Sequence, residues 1–187
     1  MNDLKDVKLE INRIINSNNI KENEETLVKF IPEIKSMIGF EHKHPHHHLD
    51  VWEHTLAVMD NIKEEDLELK MAALLHDIGK PFSYQEGEVR HFHGHPEVSA
   101  KMTRNILERL GYDNDFINNV YYLVKTHDTV IESDKLDNRY EMILKRLKLQ
   151  YADAMAHAPG TVEKRINYLN SIKVQLEKNM EIEYSRN

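Results

Sequence analysis

Cysteine is absent from the 187-residue sequence, and glycine and proline are scarce, with six and five residues. The lack of cysteine excludes disulfides, iron–sulfur clusters and zinc sites built from thiolates. The scarcity of glycine and proline leaves few turns, and no strand-like alternation of apolar and polar residues persists along the chain. The sequence therefore predicts an all-α fold.

Long apolar runs are also absent. No stretch approaches the roughly 18–20 apolar residues of a membrane-spanning helix, and the charged N-terminus MNDLKDVKLEINRI lacks the apolar core of a signal peptide. We therefore expect a cytoplasmic protein without membrane contact. The net charge of −7 argues against a surface that coats nucleic acid, which would be basic. It leaves open a nucleotide or an RNA end at a local site, and nothing in the sequence predicts an oligomeric state.

Helix-terminating residues divide the chain into segments. Gly111 and the pair Pro159-Gly160 separate consecutive helices, and Pro96 stands in the favoured first turn of another. The predicted helices span residues 3–16, 24–38, 50–63, 66–79, 96–110, 113–126, 138–157 and 161–181.

The stretch LLHDIGKP, residues 74–81, ends one of these helices with two adjacent polar residues. Apolar residues recur along that helix at spacings of three and four and give it an apolar face: Leu67, Met71, Leu74, Leu75 and Ile78. Gly79 suits a left-handed helix cap, and Pro81 cannot continue the helix. His76 and Asp77 are thus expected in the last turn of a buried helix, where each costs roughly 2–7 kcal/mol without a partner.

Two partners are predicted on other helices. His54 lies beside the apolar face of helix 50–63, and Asp153 lies among alanines on helix 138–157. Taken alone, His54 would be read as a core histidine that binds a backbone carbonyl, and Asp153 as a surface acid. Together with His76 and Asp77 they form a mixed nitrogen and oxygen ligand set, which suits a divalent transition metal: Mn, Ni, Fe, Co or Zn. Four ligands on an octahedral ion leave two positions for water and substrate, as in a hydrolytic site.

The ordered set His54, His76-Asp77, Asp153 resembles the HD superfamily of metal-dependent phosphohydrolases. The closer similarity is to the HD domain of bacterial tRNA nucleotidyltransferases, the CCA-adding enzymes. It is carried by HLDVWEHTLAVMDNI (48–62), AALLHDIGKP (72–81), FHGHPEVSA (92–100) and LKLQYADAMAH (147–157). The resemblance implies an HD-domain-like bundle of about six to eight helices, with N-terminal helices at 1–40, an HD core at 41–158, and a C-terminal helix and tail at 159–187.

The sequence lacks the Gly-Ser and paired-carboxylate motifs of a nucleotidyltransferase head, so we expect an HD module that does not add CCA. Members of the superfamily with two metals carry two further histidines, which correspond here to His95 and His127, with Asp77 shared by both ions. The alternative is that His95 and His127 hydrogen-bond the substrate phosphate beside a single ion. The sequence leaves one and two ions equally open.

Lys80 follows the motif and resembles a family position that faces the scissile phosphate. The alternative role for Lys80 is purely structural: a positive charge that stabilises the C-terminus of a helix. Arg90, His91 and His93, on the loop between ligands, are candidates for substrate binding. The histidines before helix 50–63 are expected at the rim or in a solvated loop: His42, His44, His46, His47 and His48.

The resemblance predicts a metal-dependent phosphohydrolase in which Asp77, Lys80, His95 and His127 are catalytic. Its expected substrates are small phosphate esters of nucleotides, such as 2′,3′-cyclic phosphodiesters or 2′-nucleotides, with an RNA end or a nucleoside monophosphate as further candidates. The non-enzymatic alternative is an HD module that binds metal or a phosphorylated ligand without turnover. Four metal ligands beside a phosphate-facing lysine favour the enzyme.

Overall fold

The computed structural model describes residues 3–17, 19–43, 49–132, 140–158, 160 and 162–184. Within these ranges the chain forms α-helices and short 3₁₀ turns, and its only extended pairings are isolated bridges between Glu41 and Asp50 and between Gln85 and His91. The all-α prediction is therefore confirmed. The helices are α1 (Leu4–Ile15), α2 (Glu24–Phe30), α3 (Val51–Asn61), α4 (Leu67–Leu75), α5 (His95–Arg109), α6 (Asn114–Thr126), α7 (Tyr140–Met155) and α8 (Glu163–Tyr184).

Helix α4 occupies the centre of the molecule. Every residue from Leu69 to Leu75 is buried, because α1, α3, α6 and α7 all pack against this helix. A helix that is covered on all sides needs apolar residues around its whole circumference, which the run MAALL supplies. His76 and Asp77 follow this buried run directly, and both are buried as well.

The end of α4 differs from the sequence prediction. The α-helix stops at Leu75 with His76 as its C-cap, and Gly79 has a φ of −85° and not the expected left-handed conformation. Glycine is needed there for space, because a Cβ would lie 2.5 Å from Ser99 N and 2.8 Å from Ser99 Oγ. The Gly79 N–H instead donates a hydrogen bond to Ser99 Oγ at 2.9 Å. This contact draws the His-Asp turn against α5.

The predicted helix 24–38 is wrong in its second half. Helix α2 ends at Phe30, and a 3₁₀ turn spans Pro32–Ser36. Proline has no N–H for the helical ladder and clashes with the preceding turn, so Pro32 breaks the α-helix. The short α2 still docks on α3, where Trp52 Nε1–H donates to Glu24 Oε2 at 2.6 Å.

Helix α3 begins with a capping box. The Asp50 carboxylate accepts the Glu53 N–H at 2.7 Å, and the Asp50 N–H donates back to the Glu53 carboxylate. Such reciprocal caps fix where a helix starts. The cap sets the start of α3 one turn before His54.

Helix α8 packs along α7 in a second, smaller apolar cluster. Its residues Leu169, Ile172 and Leu176 are buried against side chains that include Ile143 and Leu147. The isoleucines of α1 instead join the main core around α4.

The segment boundaries at residues 40 and 158 stay a prediction. No helix in the described part of the chain is long and apolar enough to cross a membrane.

Candidate metal centre and cleft

Three helices bring the first group of candidate ligands together. His54 comes from α3, His76 from the end of α4 and Asp153 from α7, and one ligand atom of each lies within 4.8 Å of the other two. His54 Nε2 is 3.0 Å from Asp153 Oδ1, and His76 Nε2 is 3.9 Å from the same oxygen. We call this buried group the first triad.

A second triad lies beside it. It consists of Asp77, His95 at the start of α5 and His127 at the end of α6, again within 4.8 Å of one another. Asp77 Oδ1 is 3.3 Å from His95 Nε2 and 3.6 Å from His127 Nε2. The two imidazole Nε2 atoms are 3.2 Å apart.

Asp77 joins the triads through its two carboxylate oxygens. Oδ1 faces His95 and His127, whereas Oδ2 lies 3.2 Å from His76 Nε2 and 3.7 Å from His54 Nε2. One side chain thus offers a separate oxygen to each triad. This division of its oxygens suits a carboxylate shared by two cations.

Three of the histidines are oriented in the same way. The Nδ1–H of His76, His95 and His127 donates to the carbonyl three residues earlier, of Ala73, Phe92 and Val124, at 2.7, 2.9 and 2.6 Å. A hydrogen bond at Nδ1 selects the tautomer whose Nε2 carries the lone pair. All three Nε2 atoms point to the triads and are therefore prepared as ligands.

The donor atoms fit a divalent transition metal. His76 Nε2 and Asp77 Oδ1 are fully buried and have no hydrogen-bond partner among the described residues. Buried polar atoms without a hydrogen bond are unfavourable, and a cation would satisfy both. Imidazole nitrogens together with carboxylate oxygens match the ligand preferences of Mn, Fe, Co, Ni and Zn.

Electrostatics favour the metal-binding protonation states of both carboxylates and of two histidines, but shift His76 toward its charged form. Burial alone would raise the pKa values of Asp77 and Asp153, but nearby charges outweigh it and hold both pKa values well below the usual range. The dominant neighbours are His76 and Lys80 for Asp77, and His54 and Arg165 for Asp153. Burial lowers the pKa values of His54 and His127. Burial also opposes the charge on His76, yet the adjacent carboxylate of Asp77 outweighs it and raises its pKa.

Lys80 is buried next to the triads. Its Nζ lies 2.7 Å from Asp77 Oδ2 and 3.1 Å from His42 Nε2.

The expectation of a solvated position is wrong for His42, which is only 1% exposed. Since His42 Nδ1–H donates to the Leu49 carbonyl at 3.0 Å, its Nε2 accepts from the lysine. Burial and the lysine charge lower the pKa of His42 to about 3. The residues His44, His46, His47 and His48 lie outside the described part of the chain.

A cleft of about 440 Å³ adjoins the triads, and Asp77, His95, His127 and Asp153 line it. The candidates for substrate binding, Arg90, His91 and His93, line its wall. Arg90 is held there by Glu86 at 2.9 Å and by the Glu41 carbonyl at 2.6 Å. The rings of His91 and His93 stack with their centroids 5.6 Å apart.

The sequence did not predict four polar residues that line the cleft: Asp128, Thr129, His157 and Arg165. His157 follows Asp153 by one helical turn, and that spacing of four could have placed it on the same face. Arg165 comes from α8 and lies 3.0 Å from Asp153 Oδ2. No spacing signal predicts that contact, because it depends on how α8 packs on α7.

Comparisons with known proteins show which family the chain resembles. A sequence model of the HD domain family matches residues 46–157. A CC-adding tRNA nucleotidyltransferase from Thermus thermophilus is 36% identical over 120 residues, which cover 59% of this chain and 27% of that protein. An A-adding tRNA nucleotidyltransferase from Deinococcus radiodurans is 34% identical over 131 residues, covering 63% of this chain and 30% of that protein. The chain thus spans less than a third of the length of these relatives.

Proposed function

Because this chain belongs to the HD domain family of metal-dependent phosphohydrolases, we propose that it hydrolyses phosphate mono- or diesters of nucleotides in the cleft above the triads. The observation that carries the proposal is the pair of adjacent triads, with Asp77 offering one oxygen to each. The buried, unsatisfied ligand atoms next to an open cleft support a hydrolytic site over a closed structural one.

His54, His76, Asp77 and Asp153 would hold the first ion, and Asp77, His95 and His127 a second. The presence of two complete triads favours two ions over one. When bound, a divalent metal lowers the pKa of water toward neutrality and polarises a phosphoryl oxygen. Its identity among Mn, Ni, Fe, Co and Zn stays open.

The residues of the chain prepare this chemistry. The Nδ1–H bonds of His76, His95 and His127 aim each Nε2 at the triads and select the neutral tautomer that can bind a metal. The ammonium of Lys80 lies at the junction of cleft and triads, where it would offset charge that develops on the phosphate oxygens. The leaving oxygen needs a proton, and the cleft histidines His91, His93 and His157 are the candidate donors.

The substrate is proposed to be a nucleotide or the end of an RNA. Arg90 and the stacked rings of His91 and His93 line the cleft, and aromatic and guanidinium planes suit the stacking of a base. The relatives are named for nucleotide addition to tRNA, which supports an RNA end as one candidate. The net charge of −7 supports binding at this local site and not along a surface.

The test combines elemental analysis of the purified protein with hydrolysis of p-nitrophenyl phosphate and bis-p-nitrophenyl phosphate under manganese, nickel and zinc. We expect bound metal and turnover, both lost in Asp77→Ala. Preference for one ester separates phosphatase from phosphodiesterase. Metal without turnover of these esters, or of a nucleotide panel that includes 2′,3′-cyclic forms, would replace the enzyme with a binding module. Full activity in Asp77→Ala would show that the site is misplaced.

A further inference from the structure

Each of the two candidate ligand carboxylates is paired with a basic residue. Lys80 Nζ lies 2.7 Å from Asp77 Oδ2, and an Arg165 nitrogen lies 3.0 Å from Asp153 Oδ2. Lys80 belongs to the segment that matches the HD domain family, whereas Arg165 lies on α8, beyond the end of that match at residue 157. The basic residue that pairs with Asp153 therefore comes from outside the matched segment.

Asp153 divides its oxygens between the triad and α8. Its Oδ1 lies 3.0 Å from His54 Nε2, while Oδ2 pairs with Arg165. A guanidinium carries five N–H donors in a planar fork, and the ion pair with Asp153 uses only one edge of it. The Arg165 side chain lines the cleft and is 30% exposed, so an anion in the cleft can reach it.

The charges of these four groups balance. Asp77 and Asp153 contribute two negative charges, and Lys80 and Arg165 contribute two positive ones. Divalent cations in the triads would take over the neutralisation of the carboxylates. The cleft would then carry a net positive charge, and both basic side chains would be available to an incoming anion.

We propose that Arg165 is a phosphate-binding residue, which α8 supplies to the cleft to act together with Lys80 on the oxygens of the bound phosphate. This inference rests on the proposed function in one respect, that the cleft receives a phosphate group. A guanidinium fork matches two phosphate oxygens geometrically, whereas the ammonium of Lys80 acts as a point charge. Helix α8 thus contributes to the binding site and also packs on α7.

The experiment is calorimetric titration of inorganic phosphate into the full chain reconstituted with manganese. Wild type is compared with Arg165→Met, Arg165→Lys and Lys164→Met, and the manganese content of each is measured. Lys164 is the matched control, because it is the exposed neighbour of Arg165 on α8 and does not line the cleft.

We expect Arg165→Met to retain manganese and to bind phosphate roughly 10- to 100-fold more weakly, as for the loss of a hydrogen bond to a charged group. Arg165→Lys should lose less, and Lys164→Met should bind as wild type does. Unchanged phosphate binding in Arg165→Met would overturn the proposal. Loss of manganese from that variant would also overturn it, because Arg165 would then only position Asp153.

The outcome is separable from that of the proposed function, since phosphate binding needs no turnover. Phosphate binding that depends on Arg165, in a protein that cleaves no ester, would uphold this inference while the proposed hydrolase fails. A wild-type protein that hydrolyses esters but binds phosphate no better than Arg165→Met would uphold the hydrolase and overturn the inference.

Discussion

His42 and Lys80 form a buried hydrogen bond of 3.1 Å that connects the loop before α3 to the candidate active site. His42 lies outside the segment that matches the HD domain family, yet its Nε2 accepts from the lysine that faces Asp77. The Leu49 carbonyl fixes the other ring nitrogen. We infer that this chain of contacts holds the ammonium of Lys80 in place.

Replacing His42 by phenylalanine should therefore weaken catalysis through Lys80. We expect kcat for p-nitrophenyl phosphate to fall about 10- to 100-fold, as is typical when a residue that hydrogen-bonds to an active-site group is lost. The metal content should stay unchanged. The decisive measurement is the double variant with Lys80→Met. If His42 acts only through Lys80, the double variant is no slower than Lys80→Met alone; additive losses would contradict this reading.

Metal stoichiometry should separate the two triads. We expect two ions per chain in wild type and one in His127→Ala, because that change removes a ligand from the second triad alone. Asp77→Ala should lose both ions, since its oxygens serve both triads. His93→Ala is the control, because His93 lines the cleft without belonging to a triad. A His127→Ala variant that keeps all its metal but loses activity would favour the single-ion site.

Gly79→Ala should destabilise the protein and disturb the site together. A Cβ at this position would meet Ser99 N at 2.5 Å and the His95 carbonyl at 3.1 Å, so α5 must move. We expect a loss of about 1–3 kcal/mol in the free energy of unfolding and a lower metal content, because His95 moves with α5. Gly39→Ala is the control. It introduces backbone strain at a φ of +72° with no atom within 4 Å, so it should lower stability while metal content is retained.

The ion pair between Glu33 and Arg109 should make stability depend on pH in the acid range. The hydrogen bonds from Arg109 hold the pKa of Glu33 below its ordinary value of 4.5. Because the folded pKa is the lower one, the pair stabilises fully above pH 4.5, and its contribution is lost as pH falls through the folded pKa. Glu33→Gln should cost below about 1 kcal/mol at pH 7 for such a partly exposed pair.

Urea unfolding of wild type and Glu33→Gln at pH 7 and at pH 3 measures this difference. The gap between the two proteins should shrink at the lower pH. A gap that is equal at both pH values would show that the loss comes from packing and not from the charge of Glu33. Arg109→Met provides the matched removal of the other partner.

Much of the core site could be predicted because its signal is local. The run of apolar residues before His76-Asp77 indicated a buried helix end, and α4 is buried on all sides. The break at Pro32 could also have been predicted, since a proline inside an apolar pattern usually ends the helix before it.

The contacts of His42 and Arg165 depend on tertiary packing. His42 lies 38 residues from Lys80 in sequence, and Arg165 reaches Asp153 only because α8 lies along α7. Gly79 shows a further limit. Glycine after a helix usually indicates a left-handed cap. Here glycine is needed because a Cβ would clash with Ser99 on α5, a helix that begins 16 positions later. No local pattern carries that information.

The indole of Trp52 gives the protein an internal optical reporter. Trp52 is the only tryptophan in the chain, it is 2% exposed, and it stands two positions before His54 on α3. Its bond to Glu24 couples its surroundings to the docking of α2. Fluorescence emission from this single residue can therefore follow unfolding of the helix that carries a candidate metal ligand, and detachment of the N-terminal segment, without any added label.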